Sequence, residues 1–176
     1  VLMGILLQIV NAALIIGGQA VSASMGLSMA NMVDPSMGNV PVIAQFFVIC
    51  STLIFLGLGG HVLVISLLLE SFELLPINSA LDLQGLLKLT IEWSAMMFLG
   101  AILIGLPLMA SLLFINIGLG VITRTAPALN IFAVGFPAMI LAGIVLLSLS
   151  MTSIGYRIQW LWQESFEVIG QALGIR

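Results

Sequence analysis

The chain has 176 residues, of which 61% are apolar and 6% are charged, and its mean hydropathy is +1.30. A soluble domain carries about a quarter charged residues, so this composition excludes a water-soluble enzyme. Four basic residues against seven acidic ones, a net charge of −3, also exclude a nucleic-acid-binding protein, because too few cations are present to neutralise a phosphate backbone. The composition predicts a membrane protein or a subunit of a membrane-embedded assembly.

Long charge-free runs define the predicted elements. In hydrocarbon every backbone amide must find its partner within the segment, so runs of more than about 20 apolar residues predict helices. The predicted fold class is an all-α integral membrane protein with long, kinked hydrophobic helices at residues 1–16, 41–69, 93–122 and 131–151. Bends are expected at Gly57, Gly59 and Gly60, and at Pro107. The chain opens inside an apolar run without an initiator Met, and we expect it to be the later part of a longer polypeptide.

The first connection, residues 17–40, is less hydrophobic than its neighbours and carries no charge before Asp34. Four small residues recur in it at every fourth position, a spacing that permits close helix packing: Gly18, Ser22, Gly26 and Ala30. A polar, small-residue segment at membrane depth is tolerated only inside protein or along a water-filled cavity. Its methionines suit a constriction that seals and opens, and the alternative is a tightly packed helix hairpin with Met as filler.

The two later connections differ in charge. Residues 70–92 carry four acids and one base, whereas residues 123–130 carry only Arg124. The positive-inside rule therefore predicts that Arg124 lies on the cytoplasmic side and residues 70–92 on the opposite side.

The tail, residues 156–176, is predicted to be an amphipathic helix. Its apolar positions at helical spacing are Ile158, Leu161, Trp162, Ile169 and Leu173. With Tyr156 and Trp160, Trp162 would suit an aromatic belt at the membrane surface. A helix packed on a partner would show the same pattern, and the sequence leaves both alternatives open.

Groups that could carry chemistry are few. His61 is the only histidine and Cys50 the only cysteine, so no histidine-based metal cluster or catalytic triad can be assembled from this chain. His61 could relay protons or could satisfy a backbone carbonyl. Glu70 and Glu73 could bind a cation, but they are more typical of an acidic helix end at the water boundary. We therefore expect a non-enzymatic protein with no cofactor and no metal.

Several short sequences resemble the FliR family of flagellar type III export-gate proteins and their injectisome relatives. They run in family order from about residue 17 to residue 137: Met25-Gly-Leu-Ser, Val33-Asp-Pro, Asn39-Val-Pro-Val-Ile-Ala-Gln-Phe46, Gly60-His61, Ser66-Leu-Leu-Leu-Glu-Ser-Phe-Glu-Leu-Leu-Pro76 and Arg124-Thr-Ala-Pro-Ala-Leu-Asn-Ile-Phe-Ala-Val-Gly-Phe-Pro137. The last of these looks more flagellar than injectisome-like. Family members begin with further hydrophobic helices that this chain lacks.

The resemblance implies a FliP-like part at residues 1–92, including a plug segment at 17–40, and a FliQ-like helical hairpin at residues 93–176. It implies that the following residues form the plug that obstructs the closed channel, with Met25, Met29 and Met32 as sealing side chains: Met25, Gly26, Leu27, Ser28, Met29, Ala30, Asn31, Met32, Val33, Asp34 and Pro35. It also implies that residues 124–137, which contain most of the connection 123–130, form the cytoplasm-facing hairpin loop. The loop residues are Arg124, Pro127, Asn130, Phe132, Gly135, Phe136 and Pro137.

The resemblance further implies partners and a place in the cell. Members are subunits of a hetero-oligomeric export gate with FliP-like and FliQ-like proteins, with an FlhB-like protein at its cytoplasmic base, in the bacterial inner membrane at the flagellar basal body. Unfolded flagellar proteins would pass through the channel. Three alternatives remain: an injectisome gate subunit, a small-molecule permease with its site at a broken helix around residues 17–26, and a scaffold whose plug is incidental. The permease would bind its ligand at polar groups such as Gln19, Gln45, His61 or Asn116.

Overall fold

The computed structural model describes residues 1–27, 41–74, 83–125 and 131–174. Every regular element in this part of the chain is a helix: α1 (Leu2–Ser24), α2 (Val42–Gly57), α3 (Gly60–Leu74), α4 (Leu83–Thr125) and α5 (Ile131–Ala172). By length and composition, α1, α4 and α5 could each cross a membrane, and α2 and α3 could form one further, broken span. The predicted class, an all-α integral membrane protein, is confirmed.

The helices are longer than the sequence predicted. The predicted helix 1–16 continues to Ser24, because the polar residues after it do not break it: Ser24 Oγ donates a 2.9 Å hydrogen bond to the carbonyl of Ala20. Helix α4 begins at Leu83 rather than 93 and has 43 residues, a length of about 64 Å against a bilayer core of about 30 Å. The predicted helix 131–151 and the predicted tail form one helix of 42 residues, α5.

The predicted helix 41–69 is two helices. Helix α2 ends at Gly57, α3 begins at Gly60, and their axes differ in direction by 66°. Gly59 between them has a φ of +71°, a conformation that residues with a Cβ rarely adopt. The expected bend therefore lies where the glycines are, whereas Pro107 lies inside the continuous helix α4.

Helix α1 runs alongside α4 in the same direction. The indole N–H of Trp93 donates a 3.1 Å hydrogen bond to the carbonyl of Leu6. Three turns further along α1 and two turns further along α4, Gly17 packs against the backbone of Ala101. Gly17 and Ala101 are both buried, and a Cβ on Gly17 would stand 3.1 Å from the Ala101 carbonyl oxygen.

Helices α2 and α5 run in the opposite direction to α1. Near the end of α1, Gly18 contacts Ala44 at the start of α2, and Met25 contacts Gly143. Nearer the start of α1, Ala13 and Leu161 both contact Gly100 of α4. The order along α5 is thus reversed relative to α1, and four helices pack around one apolar core.

The tail of the chain contributes one side of this core. All five of its predicted apolar positions are buried, with exposed fractions between 0% and 9%: Ile158, Leu161, Trp162, Ile169 and Leu173. The amphipathic pattern therefore reflects packing within the chain, and the prediction of a surface belt is wrong for Trp162. Tyr156 is 70% exposed and Trp160 is 37% exposed, so these two rings do face outward.

Candidate functional site

The end of α1 is where the small-residue stripe meets its neighbours. A Cβ built on Gly18 would overlap the Cα of Ala44 and stand 2.8 Å from its backbone nitrogen, so the two backbones touch. Ser22, one turn later, is 5% exposed. Gly26 leaves the helical register with a φ of +79°, and Ala30 lies outside the described residues. The stripe thus acts as a helix-packing surface over its first two positions.

Of the predicted plug residues, the structure describes Met25, Gly26 and Leu27. The other eight lie outside the described residues: Ser28, Met29, Ala30, Asn31, Met32, Val33, Asp34 and Pro35. Residues 17–24, the first part of the predicted plug segment 17–40, form the last two turns of α1, and four of them are buried: Gly17, Gly18, Val21 and Ser22. Residues 28–40 connect α1 to α2, and both ends of that connection lie at the same end of the bundle, where Gly18 meets Ala44.

Met25 lies in the core. Its side chain is 1% exposed, and it covers Gly143 so closely that a Cβ on that glycine would stand 2.7 Å from Met25 Cγ and 2.8 Å from Sδ. The neighbouring residue, Gly26, packs on the ring of Phe136 at 3.5 Å from its would-be Cβ. No sequence pattern indicated these two contacts with α5, because they join residues more than a hundred positions apart.

The structure corrects the extent of the predicted cytoplasmic loop. Arg124 is exposed in the last turn of α4, and Phe132, Gly135, Phe136 and Pro137 lie in the first two turns of α5. Pro127 and Asn130 lie outside the described residues. The helices continue toward the loop because apolar backbone needs its amides paired within the segment. The side of the membrane on which Arg124 lies stays a prediction.

The outer face of α1 carries exposed amide groups, of which Gln19 belongs to the permease alternative whereas Gln8 was missed by the sequence analysis. Gln8 and Gln19 are exposed on this face, three turns apart, and Gln45 of α2 is exposed next to the contact between Gly18 and Ala44. A groove of about 410 Å³ runs beside Gln8 and is lined by Val1, Gly4, Ile5, Gln8, Ile9 and Ala12.

The described residues offer no metal site. They contain no group of three His, Cys, Asp or Glu side chains close enough to hold an ion. His61 is exposed in the first turn of α3, and Glu70 and Glu73 are exposed in its last two turns. These three residues are thus separated along one short helix instead of converging on a common point.

The fold and this site define a class. The apolar helices have up to 43 residues, and the connection between α1 and α2 begins and ends near buried small residues. Helices of this length and composition are those of an all-helical membrane protein. The model of the family described as "Bacterial export proteins, family 1" matches residues 1–165. The chain therefore belongs to this family of bacterial export proteins, and the recognition from the sequence is confirmed.

Curated relatives carry the name "Flagellar biosynthetic protein FliR". The protein from Escherichia coli K12 is 35% identical over 173 residues, which are 97% of this chain and 66% of the relative. The Pectobacterium carotovorum protein is 34% identical over 98% of this chain and 67% of its own length. The Aquifex aeolicus protein is 32% identical over 94% of this chain and 64% of its own length. The chain thus spans about two thirds of the length of these relatives.

Proposed function

We propose that this chain is a subunit of the flagellar type III protein export gate and forms part of the channel for unfolded flagellar proteins. The observation that carries the proposal is the match to relatives named FliR along almost the whole chain. The role is non-enzymatic: the chain supplies channel wall and a seal, with no cofactor.

The seal in this proposal is the connection between α1 and α2. Residues 28–40 hold Met29, Met32 and Met37, and Asp34 is their sole ionisable group. The connection starts and ends at neighbouring points, since Gly18 and Ala44 bring the backbones of α1 and α2 into contact. A segment held at both ends can be displaced and can return without unfolding the helices that hold it. Met29 and Met32 supply the sealing side chains, whereas Met25 is 1% exposed and packs in the core.

The two parts of the chain correspond to a FliP-like part and a FliQ-like hairpin. The proposed boundary between residues 92 and 93 falls inside α4, so we place the start of the hairpin at Leu83, where α4 begins. The antiparallel pair α4 and α5, joined through residues 126–130, supports the hairpin. Arg124 and the loop after it face the cytoplasm in this proposal.

The partners in this proposal are FliP-like and FliQ-like subunits, an FlhB-like protein at the cytoplasmic base, and export substrates. The support is the apolar surface that the chain leaves uncovered. Side chains along α4 remain largely exposed, among them Phe98 at 59%, Leu113 at 59% and Phe114 at 77%. Helices much longer than a bilayer core extend beyond it and need protein to cover them. The proposed location is the bacterial inner membrane at the flagellar basal body.

The test is purification of the tagged full-length protein from its native membrane in a mild detergent, followed by mass spectrometry of the proteins that accompany it. We expect FliP-like and FliQ-like proteins in one stable complex. An untagged strain processed in parallel controls for carry-over. Recovery of a solitary monomer would contradict the gate and favour the permease, and injectisome components in place of flagellar ones would favour the injectisome gate.

A further inference from the structure

The end of the α4–α5 hairpin where α4 begins and α5 ends carries exposed charged and polar side chains. On α4, Lys88 Nζ stands 3.8 Å from Glu92 Oε1, and these side chains are 77% and 67% exposed. On α5, the exposed residues Gln163, Glu167 and Gln171 recur at every fourth position and therefore form one polar face. Charged side chains are costly in hydrocarbon, so this end of the hairpin suits water.

The contact between the two helices shows which of their residues lie at the same level. A Cβ on Gly100 of α4 would stand 3.1 Å from both Cδ atoms of Leu161 of α5, so these two residues are level. Because the helices are antiparallel, Arg157, four residues before Leu161, is level with residue 104 of α4. From there to Arg124 the described part of the hairpin carries no charged residue, over about 20 residues or a length of roughly 30 Å. This charge-free half matches the thickness of a hydrocarbon core, and the other half of the hairpin extends beyond it.

The extending half of α4 nevertheless exposes apolar side chains along one face. This apolar stripe consists of five residues at helical spacing, all exposed: Leu87, Ile91, Ala95, Phe98 and Ile102. Phe98, two residues before Gly100, is level with Gln163 in the polar face of α5. The two helices thus present an apolar face and a polar face at the same level. Where the polar face meets water, lipid does not cover the apolar one.

We propose that the apolar stripe is a docking surface for an apolar helix of a different protein subunit. The charges beside the stripe disfavour lipid as its occupant, and its large apolar side chains disfavour water. The stripe is about 22 Å long, which suits a helix lying along it, and the exposed pair Lys88 and Glu92 borders it as a polar rim. The inference rests on the proposed function for the identity of the partner, a further subunit of the same gate, whereas the exclusion of lipid rests on the charges.

A photoreactive residue at position 98 of the full-length protein, in its native membrane, identifies what covers the stripe. Position 163 is the control, because it is level with position 98 and lies on the polar face of α5. After irradiation and purification we expect position 98 to be cross-linked to a subunit of the co-purified complex, identified by mass spectrometry, and position 163 to give no such product. Cross-links to lipid alone, no cross-linked protein, or a product made of two copies of this chain would each overturn the proposal.

Phe98→Glu tests the same surface through assembly. Leu113→Glu is the matched control, because Leu113 lies on the same helix with the same exposed fraction, 59%, but in the charge-free half. We expect Phe98→Glu to reduce the recovered complex roughly tenfold, because the carboxylate would be buried against an apolar partner. The amount of chain inserted into the membrane during a short labelling pulse should stay the same, whereas Leu113→Glu should lower it.

The outcomes separate this surface from the proposed function. Normal recovery of the complex with Phe98→Glu, or an insertion defect equal to that of Leu113→Glu, would contradict the docking surface and leave the gate in place. A partner cross-linked at position 98 that is no component of a flagellar export gate would contradict the proposed function and leave the docking surface in place.

Discussion

The indole N–H of Trp162 donates a 2.9 Å hydrogen bond to Oγ of Ser51, and both side chains are buried. The bond joins α5 to α2 at the point where Phe55 also packs on the indole, with 4.7 Å between ring centroids. A buried indole needs a partner for its N–H, and Ser51 supplies it. The C-terminal part of α5 is thereby attached to the first part of the chain and not only to its hairpin partner.

Trp162→Phe is expected to lower the thermal stability of the purified protein. The substitution keeps an aromatic ring but leaves the Ser51 hydroxyl without its donor, at a cost of about 1 kcal/mol. Trp160→Phe is the matched control, since Trp160 is 37% exposed. Equal melting temperatures for the two variants, measured by fluorescence-detected chromatography after heating, would show that the bond contributes nothing.

Gly18→Ala is expected to reduce the yield of folded protein, because its Cβ would overlap the backbone of Ala44. Gly4→Ala, on the outer face of the same helix, has nothing within 4 Å of its Cβ and should be neutral or slightly stabilising. Size-exclusion chromatography of detergent extracts measures both. Normal assembly of Gly18→Ala would show that α1 and α2 can move apart at this contact without loss of folding. The close approach of Gly18 to Ala44 would then not be needed for the fold.

Gly59→Ala is expected to destabilise the junction of α2 and α3 by about 1–2 kcal/mol, the cost of a left-handed conformation for a residue with a Cβ. Gly59 has a φ of +71° and open space around it, so the effect comes from the backbone alone. Gly57→Ala, at the end of α2 with equally open surroundings, is the control. Loss of stability by both variants to the same degree would contradict this account.

Replacement of residues 28–40 by a Gly-Ser linker of the same length is expected to leave the complex assembled but leaky to ions and small solutes. The replacement stops short of residues 17–24, because these form the buried end of α1 and their removal would disrupt the core. Patch recordings or dye uptake in membrane vesicles measure the leak. An assembled gate that stays tight would exclude the seal. Failure of assembly would support the scaffold alternative.

The orientation is tested by cysteine labelling with a reagent that does not cross the membrane. On a Cys50→Ser background, a cysteine at position 79 should react from outside, and one at position 125 should react only after the cell is opened. The reason is that Arg124, in the last turn of α4, is the only charge of its connection. Reaction in the reverse order would place Arg124 on the outer side.

Much of the fold could be predicted from local sequence. The charge-free runs predicted the helices, and the glycines at 57, 59 and 60 predicted the break between α2 and α3. Helix ends were predicted less well: the lower hydrophobicity of residues 17–40 suggested that α1 stops early. The helix nevertheless continues to Ser24, because Gly17, Gly18, Val21 and Ser22 are buried against neighbouring helices. Short-range composition could not reveal that.

The sequence by itself determined that this chain is helical and membrane-embedded. Its long runs carry so few charges that they suit lipid, and in lipid the backbone amides must hydrogen-bond to each other within a helix. It also determined the family, through short motifs in a fixed order that the comparisons with relatives confirm. Only the tertiary structure decided that Trp162 faces Ser51 and that Met25 packs against Gly143. Both contacts join helices more than a hundred residues apart, and the pattern within either helix is compatible with lipid, partner or core. Which of these a side chain meets depends on the helix that packs against it.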